Sequence, residues 1–374
     1  MKTKLISALC IMAVILSLLT ACQKPEEPSD TEHGTGHTHS YLEKEGTYKC
    51  ECGADYFADT LDFTVNEDGS TCTVAGIGSC TKRDIVIPTE YNGMRVTKIG
   101  VEAFFCCETI DTVVIPEGIT EIGDSAFCEA TVRTISLPQT LSRIGEYAFA
   151  DTLLETVTVP HADIICNGAF DGSLNLREII LCEGVKKVES AFDGLRNLEK
   201  IIFPNSIEIS EDCFALFSSP TLYDLLNDPE QFESRKREFT IYNDVIYIGN
   251  ETNPYLVAHT VAKYTSDIVL HPDTEIILPE ICYGLDYGKK TSISSVVIPK
   301  NVRTVCHKYS LLFKCAENVY YEGTADEWEK LVGDAKTYDA KIYFYSEAEP
   351  TEAGYYWHYT DSGEVAVWGN ETEG

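Results

Sequence analysis

Short hydrophobic segments ending in proline recur along the chain at a spacing of about 22 residues. Each contains a short β-like piece, such as Thr112-Val113-Val114-Ile115, and the proline that follows cannot donate to a β-ladder. A repeat of this length predicts a solenoid, because one unit cannot bury its apolar side alone. The markers are Ile87-Pro88, Ile115-Pro116, Leu137-Pro138, Val159-Pro160, Leu181-Cys182 and Phe203-Pro204.

An Ala-Phe pair recurs in phase with these segments, and an Ile-Gly corner precedes it in several units. We expect the phenylalanines to stack as a ladder in the core, with Ala allowing successive coils to approach closely. The position three residues after Phe is Cys107, Ser173 or Leu195 in different units, which predicts a small buried slot. The pairs are Ala103-Phe104, Ala126-Phe127, Ala148-Phe149, Ala169-Phe170, Ala191-Phe192 and Cys213-Phe214, and the corners are Ile99-Gly100, Ile122-Gly123 and Ile144-Gly145.

Outside the repeats, other patterns predict local elements. Asn243-Asp244 between two apolar runs predicts a β-hairpin, and Asn253–Val257 predicts the start of another strand. Residues 326–336 have the periodicity of a short amphipathic helix. The predicted segments are 1–22 signal peptide, 23–40 disordered tether, 41–84 small Cys-bearing unit and lead-in, 85–220 repeats, 221–275 divergent β insert, 276–325 resumed repeats, and 326–374 short helix and C-terminal β cap.

The repeated combination of Ile-Gly, Ala-Phe and Ile/Leu-Pro resembles the BspA-type leucine-rich repeat family of bacterial surface proteins. The resemblance covers roughly residues 85–325. It implies a β-rich leucine-rich-repeat solenoid with short strands stacked into a parallel sheet on one side, irregular or short helical return segments, and adhesion rather than catalysis. The chain departs from the pattern at Cys182, Ile165-Cys166 and Ile209-Ser210, so we expect less regular coils there.

The N-terminus predicts export and lipid anchoring. Lys2 and Lys4 precede an apolar run, Leu5 to Leu19, which is too short to span a membrane stably. Leu19-Thr20-Ala21-Cys22 then resembles a bacterial lipobox, in which the Cys22 thiol is acylated; an ordinary secretory signal is the alternative. We expect a protein anchored to the cell envelope through this lipid only, and exposed on the surface.

Charge narrows the range of partners. The 29 basic and 60 acidic residues give a net charge of -31, which repels phosphate backbones and makes nucleic acid an unsuitable partner. Of the fifteen cysteines, two lie in the signal segment. We expect most repeat cysteines to be buried thiols, and Cys72 and Cys80, which flank a turn, are the best local disulfide candidate.

Candidate chemistry is sparse. His37, His39, Cys50 and Cys52 could supply a tetrahedral structural zinc site, but the alternative of a solvated tail with a Cys-containing turn is favoured. No other cofactor is indicated. There is no Gly-x-Ser-x-Gly nucleophile motif, phosphate loop or dinucleotide fingerprint, and the other histidines are scattered, so an enzyme is disfavoured.

The remaining hypotheses concern binding. The first is a lipid-anchored surface protein that binds a host or bacterial surface protein or glycan through the exposed positions of the stacked strands; alternatives are a ligand-free envelope protein and a carbohydrate-processing enzyme. The C-terminal aromatic residues Tyr355, Tyr356, Trp357, Tyr359 and Trp368 either cap the solenoid or form a sugar- or peptide-stacking platform. The expected strand-face residues are Thr112, Val114, Thr134, Ser136, Thr156, Thr158, Glu178 and Ile180.

Overall fold

The computed structural model describes residues 41–44, 47–50, 60–210, 239–261, 265–278, 281, 293–306, 316–333 and 340–368, with the backbone alone for 41–44 and 47–50. The chain divides into an N-terminal unit, Met1–Pro204, and a C-terminal unit, Asn205–Gly374. Both are β-rich and built from stacked parallel strands, so the fold is a leucine-rich-repeat solenoid.

The strands described in the N-terminal unit form one hairpin and two longer sheets. The hairpin is β1-β2, and the sheets have the orders β10-β8-β5 and β14-β13-β12-β11-β9-β7-β4-β3, with β6 on β7. The strands are β1 Tyr41–Lys44, β2 Thr47–Cys50, β3 Asp62–Val65, β4 Thr71–Gly76, β5 Asp84–Val86, β6 Glu90–Tyr91, β7 Met94–Ile99, β8 Thr112–Val114, β9 Glu121–Ile122, β10 Thr134–Ser136, β11 Arg143–Ile144, β12 Thr156–Ile165, β13 Glu178–Val188 and β14 Lys200–Ile202.

The predicted phenylalanine ladder is confirmed. Neighbouring ring centroids are 4.9 Å apart at the first step and 5.7 Å at the last, and all five rings are stacked. None is more than 1% exposed, and each such burial stabilises the fold by about 1.5–3 kcal/mol. The ladder consists of Phe104, Phe127, Phe149, Phe170 and Phe192; Cys213-Phe214 lies outside the described residues.

The small slot after the phenylalanines is also confirmed, since Cys107, Ser173 and Leu195 are all buried. Two residues in this slot, Thr152 and Ser173, carry hydroxyl groups that are hydrogen-bonded to each other. Ser173 Oγ donates to the carbonyl of Phe149 at 2.8 Å and lies 2.9 Å from Thr152 Oγ1. Both buried hydroxyls are therefore hydrogen-bonded, so neither adds the free-energy cost of burying an unpaired polar group.

The Ile-Gly corner is a second line of strand pairing, which the sequence pattern did not indicate. Ile99, Ile122 and Ile144 pair in parallel as the ends of β7, β9 and β11. A Cβ at Gly123 would lie 2.6 Å from the carbonyl carbon of Gly100, so glycine lets the coils approach this closely.

Two expectations about regularity are wrong. Strand β12 runs through Pro160 instead of ending there, with a shift of register between Val159 and His161. The coil with Cys182 is less regular, as expected, because the pairing of β12 with β13 shifts by one residue there. The expectation for Ile165-Cys166 is wrong, because Ile164 and Ile165 pair with both neighbouring strands without a shift. Strand β13 has two residues opposite the single residue Pro160, and parallel pairing resumes at His161 with Gly184.

The described residues of the C-terminal unit form two sheets and a helix. One sheet has the order β16-β17-β18-β20-β22 and the other the order β19-β21-β23-β24-β25-β26. The elements are β15 Glu208–Ile209, β16 Thr240–Tyr242, β17 Val245–Ile248, β18 Val257–Val261, β19 Asp267–Val269, β20 Ile276–Ile277, β21 Ile293–Ile298, β22 Thr304–Val305, β23 Ala316–Tyr321, α1 Ala325–Val332, β24 Lys341–Tyr345, β25 Tyr356–Tyr359 and β26 Val365–Val367.

Local predictions in this unit are largely confirmed. Strands β16 and β17 form the predicted hairpin, and Asn243 and Asp244 have the positive φ of its turn. Helix α1 is capped by Thr324 and Glu327, and it buries Trp328 and Val332. The segment from Asn253 is a turn, and the strand that was expected there starts only at Val257.

Candidate functional site

The outer strand face of the N-terminal unit is formed by alternate residues of β8, β10, β12 and β13. In each strand the residue between the two predicted positions, such as Val113 or Ile179, is buried, so its two neighbours point away from the core. Parallel pairing brings the predicted residues together in two groups. In the first, Thr134 pairs with Thr112 and Ser136 with Val114; in the second, Thr156 pairs with Glu178 and Thr158 with Ile180.

Exposure is uneven across this face. Thr134 and Thr156 are exposed, whereas Thr112, Val114, Ser136, Thr158 and Glu178 are half-buried. Ile180 is only 8% exposed, so the expectation that it contributes to the surface is wrong. Its neighbours across the ladder, Thr158 and Ile202, are half-buried rather than exposed.

A column of alternating charges borders the face at the residue before each strand. Asp111 lies 3.1 Å from Arg83 and 3.5 Å from Arg133, and Arg177 lies 3.7 Å from Glu199. Asp111 is partly exposed and the other four side chains are exposed, so each pair stabilises the fold by about 1 kcal/mol or less. Glu178 contributes the only charge among the eight predicted residues and is itself paired with Lys200 at 2.5 Å. The face therefore offers hydroxyl and methyl groups for contact.

Three of the four described histidines lie in structural settings. His161 Nδ1 is 2.6 Å from the carbonyl oxygen of Leu141, His271 stacks on Tyr255 at 3.6 Å, and His358 stacks on Trp368 at 3.9 Å. A stacked or backbone-bonded imidazole on a separate element does not assemble a nucleophile and base.

A shallow polar concavity of about 410 Å³ lies in the C-terminal unit. Glu275 on its wall is held by Arg303 Nε at 2.8 Å, and Asn253 donates to the backbone of Asp273 at 2.9 Å. Its lining residues are Thr252, Asn253, Asp273, Glu275 and Asn301. Within the described part of the chain, no group of three or more His, Cys, Asp and Glu side chains is arranged to hold a metal ion.

The thiols are mostly buried, as expected. Cys107, Cys166, Cys182 and Cys306 are buried, but Cys128 is half-buried and Cys106 is exposed. Burial raises the pKa of Cys128 to about 11, so this thiol stays protonated and is a poor nucleophile.

The disulfide considered between Cys72 and Cys80 is not formed. Both residues are buried, and the Cys72 thiol lies 3.7 Å from the carbonyl oxygen of Arg95.

The C-terminal aromatic residues divide between the two interpretations. Trp357 is fully buried and its Nε1 donates to the carbonyl of Tyr321 at 3.0 Å, as a cap residue would. Tyr355 and Tyr359 remain 46% and 39% exposed, and Tyr345, which sequence reasoning did not single out, is 37% exposed. The alternation of side chains along β24 could have indicated Tyr345, since Tyr343 and Tyr345 project to the same side of the sheet.

The sites predicted near the N-terminus lie outside the described residues. Cys22, His37, His39 and Cys52 are not among the described residues, and of Cys50 only the backbone at the end of β2 is described. Lipidation and the zinc site remain predictions. Among the described residues, no helix is both long and apolar enough to cross a membrane.

Comparison with known proteins supports the repeat assignment. Residues 97–221 match the BspA type leucine rich repeat region in six copies, whereas no curated protein sequence matches. Similar solved structures include the pneumococcal vaccine antigen PcpA, with 14% identity over 87% of this chain and 86% of that chain and a TM-score of 0.42. Another is a leucine-rich repeat protein from Bacteroides ovatus, with 18% identity over 80% of each chain and a TM-score of 0.36.

A leucine rich cell surface protein from Faecalibacterium prausnitzii has 17% identity over 73% of this chain and 96% of that chain, with a TM-score of 0.33. The matched repeats, the 22-residue spacing and the stacked parallel strands agree: the chain carries BspA-type leucine-rich repeats, a repeat class typical of surface and protein-interaction proteins.

Proposed function

We propose that the protein is a lipid-anchored bacterial surface protein that binds a partner protein or glycan through the outer strand face of its N-terminal unit. The observation that carries the proposal is the hydroxyl-lined face of Thr112, Thr134, Ser136, Thr156 and Thr158, with Thr134 and Thr156 fully exposed, on a scaffold with a continuous phenylalanine core. Because the backbone groups there are used in the ladder, specificity comes from the side chains.

The rigidity of this face supports a binding role. Its strands are short and pair at fixed register, so a partner would contact side chains whose positions are already ordered. Preorganisation lowers the entropy cost of association and lets a modest, polar surface bind. Hydroxyl groups suit both a protein partner and the hydroxyl-rich surface of a glycan.

The test of the face is the double variant Thr134→Arg/Thr156→Arg, which places two long charged side chains on its exposed positions. Binding to bacterial cells, matrix proteins or immobilised glycans should fall at least about tenfold, as expected for a central interface disruption. The melting temperature should not change, because both residues are exposed.

The control is Thr64→Arg/Thr81→Arg, which adds the same charge at two exposed threonines elsewhere in the unit. Equal loss of binding in both variants would attribute the effect to charge and would contradict a role for the outer strand face.

Location is tested by protease treatment of intact cells with wild type and Cys22→Ala. Cleavage of wild type on whole cells and release of the variant into the medium are the expected results. Protection of wild type until the cells are lysed would overturn surface exposure and would favour a ligand-free role within the envelope.

A further inference from the structure

Exposed aromatic and large apolar side chains are concentrated at the C-terminal hairpin. Four of the nine in the described residues lie between 345 and 367, a small part of the chain. We call Tyr345, Tyr355, Tyr359 and Val367 the tyrosine face. Such a concentration on an otherwise polar protein marks an interaction surface.

The tyrosine face rests on buried rings. Tyr345 and Tyr359 contact Trp357, with centroids 5.3 Å and 4.8 Å away, and Tyr355 contacts Tyr343 at 5.4 Å. Trp357 and Tyr343 are 0% and 4% exposed. The exposed rings are therefore held in place from beneath, which reduces the entropy lost when a partner binds.

The surroundings of the tyrosine face are acidic. Residues 341–368 contain five carboxylates and a single lysine, and all five carboxylates are exposed. Three of them, Glu347, Glu349 and Glu352, lie in the connection between Tyr345 and Tyr355. At physiological salt, screening reduces the field of an exposed carboxylate over a length of about 8 Å, so these glutamates act on ligands bound near this connection.

Two contacts within the protein indicate which chemistry these rings accept. Lys341 Nζ lies 5.7 Å from the centre of the Tyr355 ring, within the range of a cation–π interaction. Tyr359 donates its hydroxyl to Glu322 Oε1 at 2.7 Å, which places a carboxylate beside the second ring. Burial and Glu322 together raise the pKa of Tyr359, so its ring remains a neutral phenol.

We propose that the tyrosine face is a second binding surface that docks a lysine- or arginine-rich segment of a partner protein. Cations would lie over the rings of Tyr345, Tyr355 and Tyr359, and the nearby glutamates would pair with the same segment. A neutral glycan would also stack on the rings, but it would gain no charge complementarity from the acidic connection. This second binding surface does not depend on the binding role proposed for the outer strand face of the N-terminal unit.

The test uses the purified full-length protein and a fluorescent ten-residue lysine peptide, measured by anisotropy at several salt concentrations. Tyr345→Ala/Tyr355→Ala should weaken binding about tenfold, the expected loss for two exposed cation–π contacts. The control is Phe105→Ala/Leu174→Ala, which removes equally exposed apolar side chains from the N-terminal unit. Thermal melts establish that both variants are folded.

A second variant tests the charges without touching the rings. Glu347→Gln/Glu349→Gln/Glu352→Gln should weaken binding about fivefold and reduce its salt dependence. Glu67→Gln/Glu90→Gln/Glu155→Gln removes the same charge at exposed positions of the N-terminal unit and should have a smaller effect. If both triple variants weaken binding equally, the peptide recognises only the overall negative charge and the proposal fails.

Two other results would also overturn the proposal. One is absence of peptide binding even at low salt. The other is binding of an acetylated, uncharged version of the peptide, or of a neutral oligosaccharide, with the same dependence on the tyrosines and on no glutamate. That outcome would make the tyrosine face a stacking site for neutral ligands.

Discussion

The outer strand faces of the two units differ in chemistry although both belong to stacked parallel sheets. In the N-terminal unit the face carries threonine, serine and valine, and it borders a column of alternating charges. In the C-terminal unit, Val297, Tyr320, Tyr343 and Trp357 project from the sheet opposite to the main core and form a second cluster. One scaffold thus presents a polar face and an aromatic one.

The cores differ in a complementary way. The N-terminal unit stacks five phenylalanines in one ladder, whereas the C-terminal core combines aliphatic strand residues with Tyr321 and Trp328. A regular repeat lets one residue type fill each coil identically. Where the repeat is interrupted, large rings and a helix fill spaces of unequal shape. Substitutions should therefore have local effects that differ between the units.

The largest effect is expected for Trp357→Ala. The indole is fully buried and hydrogen-bonded, so its removal should lower the free energy of unfolding of the C-terminal unit by about 4–5 kcal/mol. Hydrogen exchange should show lost protection in β23–β25 and retained protection in the phenylalanine ladder. Tyr355→Ala, at an exposed neighbour, is the control; equal loss there would contradict a cap role confined to Trp357.

Phe149→Ala should have the next largest effect, confined to the other unit. Phe149 stacks between Phe127 at 5.2 Å and Phe170 at 5.3 Å, and its loss leaves a cavity between two coils. We expect about 3–4 kcal/mol of destabilisation by denaturant titration. Phe149→Leu, which retains part of the volume, should lose less; identical losses would contradict the importance of the stacked rings.

Gly145→Ala tests the second line of strand pairing. The new Cβ would lie 2.6 Å from the carbonyl carbon of Gly123 and 2.6 Å from the backbone nitrogen of Asp124, so the coils must separate. We expect about 2–3 kcal/mol of destabilisation in a thermal melt. At Gly76 the nearest atom is 3.7 Å away, so Gly76→Ala should be nearly neutral. A neutral Gly145→Ala would mean that the corner tolerates a wider spacing.

The smallest effect concerns pH and the N-terminal unit. Burial, together with neighbouring Asp193 and Asp151, raises the pKa of Asp171 to about 6 from 3.8. Because the folded pKa is the higher one, the contribution of Asp171 to stability decreases as pH rises from 3.8 to about 6. Asp171→Asn should remove this slope and stabilise the protein at pH 7 by about 1 kcal/mol, a value reduced for the partial exposure of the carboxylate.

Chemical denaturation across this pH range checks the expectation. Glu90→Gln, at an exposed carboxylate, should retain the wild-type slope. An unchanged slope in Asp171→Asn would assign the pH dependence to another group.

Much of the fold could be predicted from local signals. The Ala-Phe spacing predicted the ladder, Asn243-Asp244 predicted a hairpin, and Thr324 with Glu327 forms the capping box of the helix predicted around Trp328. The candidate site was harder to predict from the sequence. The alternation of side chains along a strand shows on which side of the sheet Ile180 lies, but not how far its neighbours cover it.

The sequence by itself determined the repeat, its period and the residues of the core ladder, because these depend on periodicity and local backbone preference. Only the tertiary structure decided that β12 continues through Pro160, that the Ile-Gly corner pairs as strands, and that Trp357 is buried while Tyr345 is exposed. These outcomes depend on how neighbouring coils stack, and contacts between residues 20 or more positions apart are not encoded in any one short segment.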